Sequence, residues 1–469
     1  MEIYSAYYQL FLKKQTYKMN SMKKLSFSKN MTEGNILQLM LSFAFPVLLG
    51  SLFQQFYNFT DLVIVSRKVG VQALEGVGAT ASLTGLLIGF TNGLTNGFSI
   101  ITAQNFGAGN AKEVRRSIAA TVTLALLFTL VLTAGSLFFI KDILHLINTP
   151  DNVMEDAYNY ISILLMGMVF TMAYNMCANI LRAIGNSVAP LIFLAVSAFL
   201  NIGLDFLLVC TIPLGIRGAA LATVLAQCIS AVLCFIYIMK KCPEIHLSKV
   251  DFSFDRILLG KMISTGLSMA LMLAVVNIGS VILQSGINGL DETTIAAHIS
   301  ARKVIELFMM PIAVIGSACA TFTSQNYGAG RMDRVFEGVK EGMLLGILWS
   351  TFSMLLLFPF ARNFVQLIID KKEAANIALI DTATLYVRIS VPCFYALIVL
   401  IVLRNVLQGM GRRIVPVIVS GTELLGKLIA IRILVPKLGY FGVCITEPII
   451  WIFDGVLVLI VYLFIRHRS

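Results

Sequence analysis

The side chains with chemistry to do in this sequence are the few acids and amides that interrupt long apolar stretches. Gln54, Asn58 and Asp61 follow one another at spacings of four and three residues, which puts all three on one face of a helix. Ser197, Asn201 and Asp205 recur at every fourth residue and form a second such stripe, and Thr223 adds a hydroxyl in the next apolar stretch. If these stretches lie in hydrocarbon, each carboxylate costs about 2.5 to 3.5 kcal/mol on insertion scales and reads as functional. A carboxylate beside an amide oxygen can hold a proton or offer oxygens to a hard cation such as Na⁺, so proton and ligand would compete for one site. Plainer readings stand beside these. Asp61 could be an acid snorkelling toward Arg67, Asn201 and Asp205 an interhelical hydrogen bond, and Thr223 a hydroxyl bonded to its own backbone. Glu423 and Lys427, four residues apart, suit an intrahelical ion pair as well as a place in a transport path. His298, Arg302, Lys303 and Glu306 read as satisfied or solvated side chains.

The elements that must carry these residues are membrane spans. With 58% hydrophobic and 13% charged residues over 469 positions, the chain holds more apolar surface than a soluble protein could bury. Spanning hydrocarbon takes about 20 apolar residues per helix, because backbone groups cannot be left unpaired in lipid. Hydropathy predicts twelve spans, at 36–66, 73–105, 114–140, 154–184, 187–210, 216–240, 260–287, 292–327, 334–361, 374–410, 413–436 and 440–465. Pro46, with apolar sequence on both sides, is the candidate helix kink.

Lys13, Lys14, Lys18, Lys23, Lys24, Lys29, Lys112, Arg115, Arg116, Lys240, Lys241, Arg331, Arg334, Arg412 and Arg413 fall on one side of this layout, and far fewer, among them Arg67, Lys68, Lys371 and Lys372, on the other. That bias predicts that both termini are cytoplasmic. Topology then explains most of the net charge of +11 without nucleic acid. Residues 1–33 read as a cytoplasmic tail, not a secretory signal, with Met19, Met22 and Met31 as alternative starts. The eight cysteines show no CxxC pair and read as small packing residues.

A duplication organises the whole chain. Thr102-Ala-Gln-Asn-Phe-Gly-Ala-Gly109 recurs as Thr323-Ser-Gln-Asn-Tyr-Gly-Ala-Gly330, Asn179-Ile-Leu-Arg-Ala-Ile-Gly185 with Pro190 as Asn405-Val-Leu-Gln-Gly-Met-Gly411 with Pro416, and Leu214-Gly215 as Leu438-Gly439. Six spans per copy is even, so the copies are parallel repeats with a site expected between them. The expected domains are an N-lobe over 34–241, a linker over 242–259 and a C-lobe over 260–469. The glycines of the first motif lack the GxxxxGK[ST] pattern of a phosphate loop and predict a tight helix-to-helix turn. The four histidines lie far apart, which argues against an enzyme.

Over residues 34 to 465 the sequence resembles the multidrug and toxin extrusion (MATE) family. The resemblance is carried by Pro46 with Asp61 fifteen positions later, the paired Gln-Asn-x-Gly-Ala-Gly motifs, Arg182-Ala-Ile-Gly-Asn186 and Asn201-Ile-Gly-Leu-Asp205. It implies an all-α membrane fold of two pseudo-symmetric six-helix lobes, and Asp61, Asn201, Asp205 and Thr223 match the N-lobe cation site of the branch that resembles DinF proteins. The C-lobe acids of the NorM-like branch are not recognisable here. The function implied is H⁺- or Na⁺-coupled antiport of organic cations and drugs by alternating access, with Gln54, Asn58, Ser197, Glu423 and Lys427 as candidates for the substrate pathway. A monomer in the plasma membrane is expected, touching drug and lipid and needing no cofactor beyond the coupling ion. The alternative, a flippase for a lipid-linked saccharide, would want a basic central groove, and the spans read as poor in internal Arg and Lys.

Overall fold

The computed structural model describes residues 29–147, 149–253, 256–369 and 375–468. The tail lysines up to Lys24, together with Lys371 and Lys372, therefore lie outside the described residues. Helices run in the order α1 (Ile36–Lys68), α2 (Val71–Gly107), α3 (Ala111–Leu146), α4 (Asp151–Met166), α5 (Met168–Ala183), α6 (Val188–Asp205), α7 (Ile216–Lys241), α8 (Arg256–Ile287), α9 (Glu292–Gly328), α10 (Met332–Gln366), α11 (Ala375–Ser390), α12 (Phe394–Gly409), α13 (Ile414–Ile429), α14 (Val435–Leu438) and α15 (Tyr440–Arg468). Among the described residues they make eleven single spans, and a twelfth when α4 and α5 count as one broken span. Outward faces carry exposed Leu130, Phe138, Leu355 and Phe464, side chains suited to lipid.

The predicted spans are recovered, but not all as single rods. α4 and α5 meet at 46° beside Gly167, where any side chain would overlap Val224. α11 and α12 are joined by a tight turn over Val391–Cys393, whose Pro392 has no N–H to continue the helix. α6 and α13 each widen into a π-turn at repeat-related places, Phe206–Thr211 and Ala430–Leu434. α1 is continuous from Ile36 to Lys68 with Pro46 inside it.

Glycines set the contact between the lobes. Gly89, Gly93 and Gly97 line one face of α2 at spacings of four and lie against α8, so that a methyl group at Gly93 would sit 2.5 Å from the Cα of Ala270. The leading ends of α1 and α8 cross over. Met40 and Phe43 of α1 join the C-lobe core with Phe322 and Val335, while Leu258 and Met262 of α8 join Phe98 and Leu124 of the N-lobe.

The duplicated motifs meet at the end of the molecule where α1 begins. Gly109 and Gly330 take positive φ angles of 67° and 72°, which lets each chain turn sharply into the next helix. Gln104 Nε2 donates to the carbonyl of Gly409 at 2.8 Å, and Gln325 Nε2 donates to that of Ala183 at 2.8 Å. These are reciprocal bonds between lobes, and Gly107 and Gly328 lie so close to the opposite motif that any Cβ would strike its backbone. Two straps complete this end. The Met31 N–H donates to Gln325 Oε1 at 2.9 Å, and Arg331 and Arg334 hold the carbonyls of Thr32 and Gly34 at 2.8 and 3.1 Å. In the linker, Asp251 accepts from the Ser248 hydroxyl at 2.7 Å and pairs with Arg115 of α3 at 3.5 Å. Each lobe's leading segment is thus held by the other lobe.

Candidate functional site

A cavity of about 410 Å³ opens in the N-lobe and reaches Leu273 of α8 and Ser317 of α9 across the seam. Its α1 wall is the face carrying Val47, Ser51, Gln54, Tyr57, Asn58 and Asp61, so the first polar stripe of the sequence lines it. Thr223 of α7 lines it as well. Ser197, Asn201 and Asp205 of α6 are buried behind this wall at 2% exposure or so for Asn201 and none for Asp205. Ser197 donates to the Ala226 carbonyl at 3.2 Å, a contact between α6 and α7.

The two layers connect through oxygen atoms. Asn201 Nδ2 donates to Thr223 Oγ1 at 3.4 Å, which leaves the carboxamide oxygen free to point elsewhere. That oxygen, both carboxylate oxygens of Asp205 and Oδ1 of Asp61 are buried and have no hydrogen-bond donor among the described residues. Tyr160 is buried and lines the same cavity as Asp61. Buried acceptors left without donors are costly, and a proton or a hard cation is what satisfies such a set. Asp205 is the last residue before the π-turn of α6, where the helix widens.

The repeat-related place in the C-lobe is filled differently. At a spacing of 226 residues, Ser197, Asn201 and Asp205 correspond to Glu423, Lys427 and Ile431. Lys427 Nζ pairs with Glu423 Oε1 at 2.8 Å and lies 3.9 Å from Glu447. Gly279 of α8 makes room, with the Lys427 stem 3.1 Å from where its Cβ would be. The C-lobe thus carries a built-in ammonium group where the N-lobe carries unsatisfied oxygens. Neither Glu423 nor Lys427 lines the cavity.

His298, Arg302 and Glu306, read from the sequence as satisfied or solvated side chains, belong to this network, and the sequence reading missed its acids on α15. Glu447 of α15 accepts from Arg302 Nη1 at 2.7 Å and from the Tyr386 hydroxyl at 2.9 Å, and Arg302 also reaches Glu306 at 2.9 Å. Asp454, two turns further along α15, accepts from Thr422 at 2.6 Å. His298 is buried against the rings of Tyr386 and Tyr440. The expectation that the spans hold little internal Arg or Lys is corrected here: Arg302, Arg404 and Lys427 are inside the C-lobe and Arg182 lines the N-lobe cavity. Arg302 and Lys427 meet Glu447 from another helix, whereas the Arg404 Nε is buried without an acceptor among the described residues.

Comparison with known proteins agrees with this architecture. The family model described as MatE matches residues 46–207 and 268–430, one block in each lobe. The chain is 28% identical over 343 residues to the probable multidrug resistance protein YoeA of Bacillus subtilis, covering 72% of this chain and 74% of that one. It is 23% identical over 391 residues to the probable multidrug resistance protein NorM of Thermotoga maritima, covering 81% and 82%. Among solved structures, a MATE in complex with MaL6 superposes with a TM-score of 0.86 at 22% identity, covering 94% of this chain and 97% of that one.

Proposed function

The chain belongs to the MatE family of membrane transporters, and from that premise we propose that it exports amphipathic organic molecules in exchange for H⁺ or Na⁺ bound at Asp61, Asn201, Asp205 and Thr223. The observation that carries this reading is the set of buried oxygens without donors beside a cavity wall. One oxygen set that serves proton or cation, next to a space for a small molecule, gives competition between the two. That competition is the logic of antiport. The site matches the DinF-like pattern, and the internally neutralised C-lobe counterpart supports the N-lobe as the coupling half.

We place both termini in the cytoplasm of a plasma membrane, with the chain acting as a monomer. The end closed by the reciprocal glutamine bonds is then cytoplasmic, and the cavity faces outward. Cation binding in this state would bend α1 near Pro46 and narrow its Gln54–Asn58–Asp61 face, expelling the drug. One charge crossing 100 mV supplies about 2.3 kcal/mol, so one or two cations per cycle suffice. A lipid-linked pyrophosphate would need a basic groove, whereas the cavity lining carries Arg182 as its one cation among the described residues.

The test is efflux of a fluorescent organic cation from proteoliposomes under an imposed pH gradient or an imposed Na⁺ gradient. Asp61→Asn and Asp205→Asn should abolish the gradient-driven rate, and the gradient that works names the ion. Transport that ignores both gradients, or both substitutions, removes the coupling site.

A further inference from the structure

We infer that Arg182 is an anion-binding subsite at the inner end of the cavity, so that the preferred cargo is an amphipathic molecule bearing a carboxylate. This deepens the export reading and rests on it.

The cavity is long, and its two charges stand at opposite ends. Its wall on α1 runs from Val47 to Asp61, roughly 20 Å at 1.5 Å per residue, away from the end where α1 begins. Its wall on α5 runs the other way, from Met168 to Arg182, one residue before that helix stops at Ala183. Arg182 therefore sits at the end closed by the paired motifs, and Asp61 at the far end.

The guanidinium is underused. Its Nη1 donates to Asn179 Oδ1 at 3.2 Å, its Nε is buried with no acceptor, and no acid lies within ion-pair distance among the described residues. Arg302 and Lys427 of the C-lobe, by contrast, each meet carboxylates, and Arg404, whose Nε also lacks an acceptor, does not line this cavity. The carbonyls at the end of α5 stabilise a nearby cation, but that explains the charge and not the empty Nε. A buried N–H left without an acceptor is costly, and a ligand anion in the cavity would supply one.

The surroundings suit an anion. Asn175, Asn92 and Asn96 line the same half of the cavity and can turn N–H groups toward bound oxygens, while the flat guanidinium fork fits a carboxylate with two parallel bonds. The repeat-related residue in the C-lobe is Gln408, neutral and spent on the sulfur of Met272 at 3.0 Å, so the charge belongs to this cavity alone and not to the repeat.

The experiment uses two dyes that differ by one charge, a rhodamine with a free benzoate and its methyl ester, in proteoliposomes of the full chain. Arg182→Gln should raise KM for the acid by about ten-fold or more and leave the ester within about two-fold, and Arg182→Lys should recover part of the loss. An equal fall for both dyes would make Arg182 structural and overturn the inference. So would a wild-type protein that carries the ester and not the acid. Acid and ester rates that are alike but change with anionic lipid content would assign the guanidinium to a headgroup instead and also overturn it. Failure of the wild-type protein to move either dye under any gradient is a different result, and it counts against the export reading itself.

Discussion

Lys427 is the residue whose contacts separate the two lobes most sharply. Its ammonium group meets Glu423 and faces Glu447 in a buried setting, and removing one member of such a pair leaves the other charge unpaired, typically at about 3 kcal/mol or more. Lys427→Met should therefore lower the unfolding temperature in detergent markedly, and Glu423→Gln added to it should restore much of the loss, because the stranded carboxylate is then gone. If Lys427→Met instead kept its stability and lost efflux, the pair would belong to the transport path. Asp61, Asn201 and Asp205 were legible in the sequence because polar residues at helical spacing stand out in an apolar run. Glu447 and Asp454 gave the same signal, two carboxylates seven residues apart on one face of the last span, and it went unread. Their partners were not legible at all: Arg302 lies 145 positions away, and no periodicity within a helix announces a bond between helices.

Elements were legible where burial in lipid decides them and illegible where tertiary contact does. Long apolar runs fix twelve spans, yet the bend at Gly167 depends on Val224 pressing into the gap, and the π-turn after Asp205 has no sequence signature. The duplicated glycines were read only as turns, although Gly107 and Gly328 also let two motifs touch. Gly107→Ala should force Gln104 and Gln325 apart, since its methyl group would meet the Gln325 backbone, at a cost of about 1 to 3 kcal/mol. Gly78→Ala, in the same helix with open space around it, should be neutral or slightly stabilising, and thermal unfolding of the two variants side by side checks this. The linker strap carries a pH dependence. Burial alone would raise the Asp251 carboxyl, but the Ser248 hydroxyl and N–H and the Arg115 guanidinium outweigh it and hold the group below its ordinary value. A group depressed in the folded chain contributes stability that is full above its unfolded value, about 4, and is lost as pH falls through the folded one. Protection of backbone amides over residues 246–253 should therefore drop as the pH is taken from about 5 to below 3, and Asp251→Asn should flatten that drop.

At the scale of the whole molecule, the lobes are joined by two kinds of contact with different consequences. The α2–α8 seam is mostly glycine against backbone, which permits close sliding, with the Asn277 amide donating to the Gly85 carbonyl at 3.2 Å as a directional bond across it. The bonds at the end where α1 begins are directional and reciprocal, Gln104 to Gly409 and Gln325 to Ala183, and they must all break for the cavity to open there. A parallel repeat makes both sides of this closure alike, so neither lobe can release alone. Each bond is worth about 1 kcal/mol net, and because Gln325 also accepts from the Met31 N–H, losing both glutamines removes three bonds and should shift the opening equilibrium by about 3 kcal/mol, roughly 150-fold. The measurement is alkylation of a cysteine placed at Ser324, which is 1% exposed beside the closure, in a chain whose native cysteines are replaced. A membrane-impermeant reagent applied from that side should react roughly 150-fold faster in Gln104→Ala/Gln325→Ala than in the parent, with each single variant between them. Coupled efflux should slow in the double variant as well, because a carrier that rests open on the inside must be driven uphill to expose Asp61 and Asp205 outward. Unchanged alkylation with undiminished efflux would show that the closure is held by the Arg331 and Arg334 straps and the glycine contacts instead, and that the repeated glutamines only finish the turns they sit in.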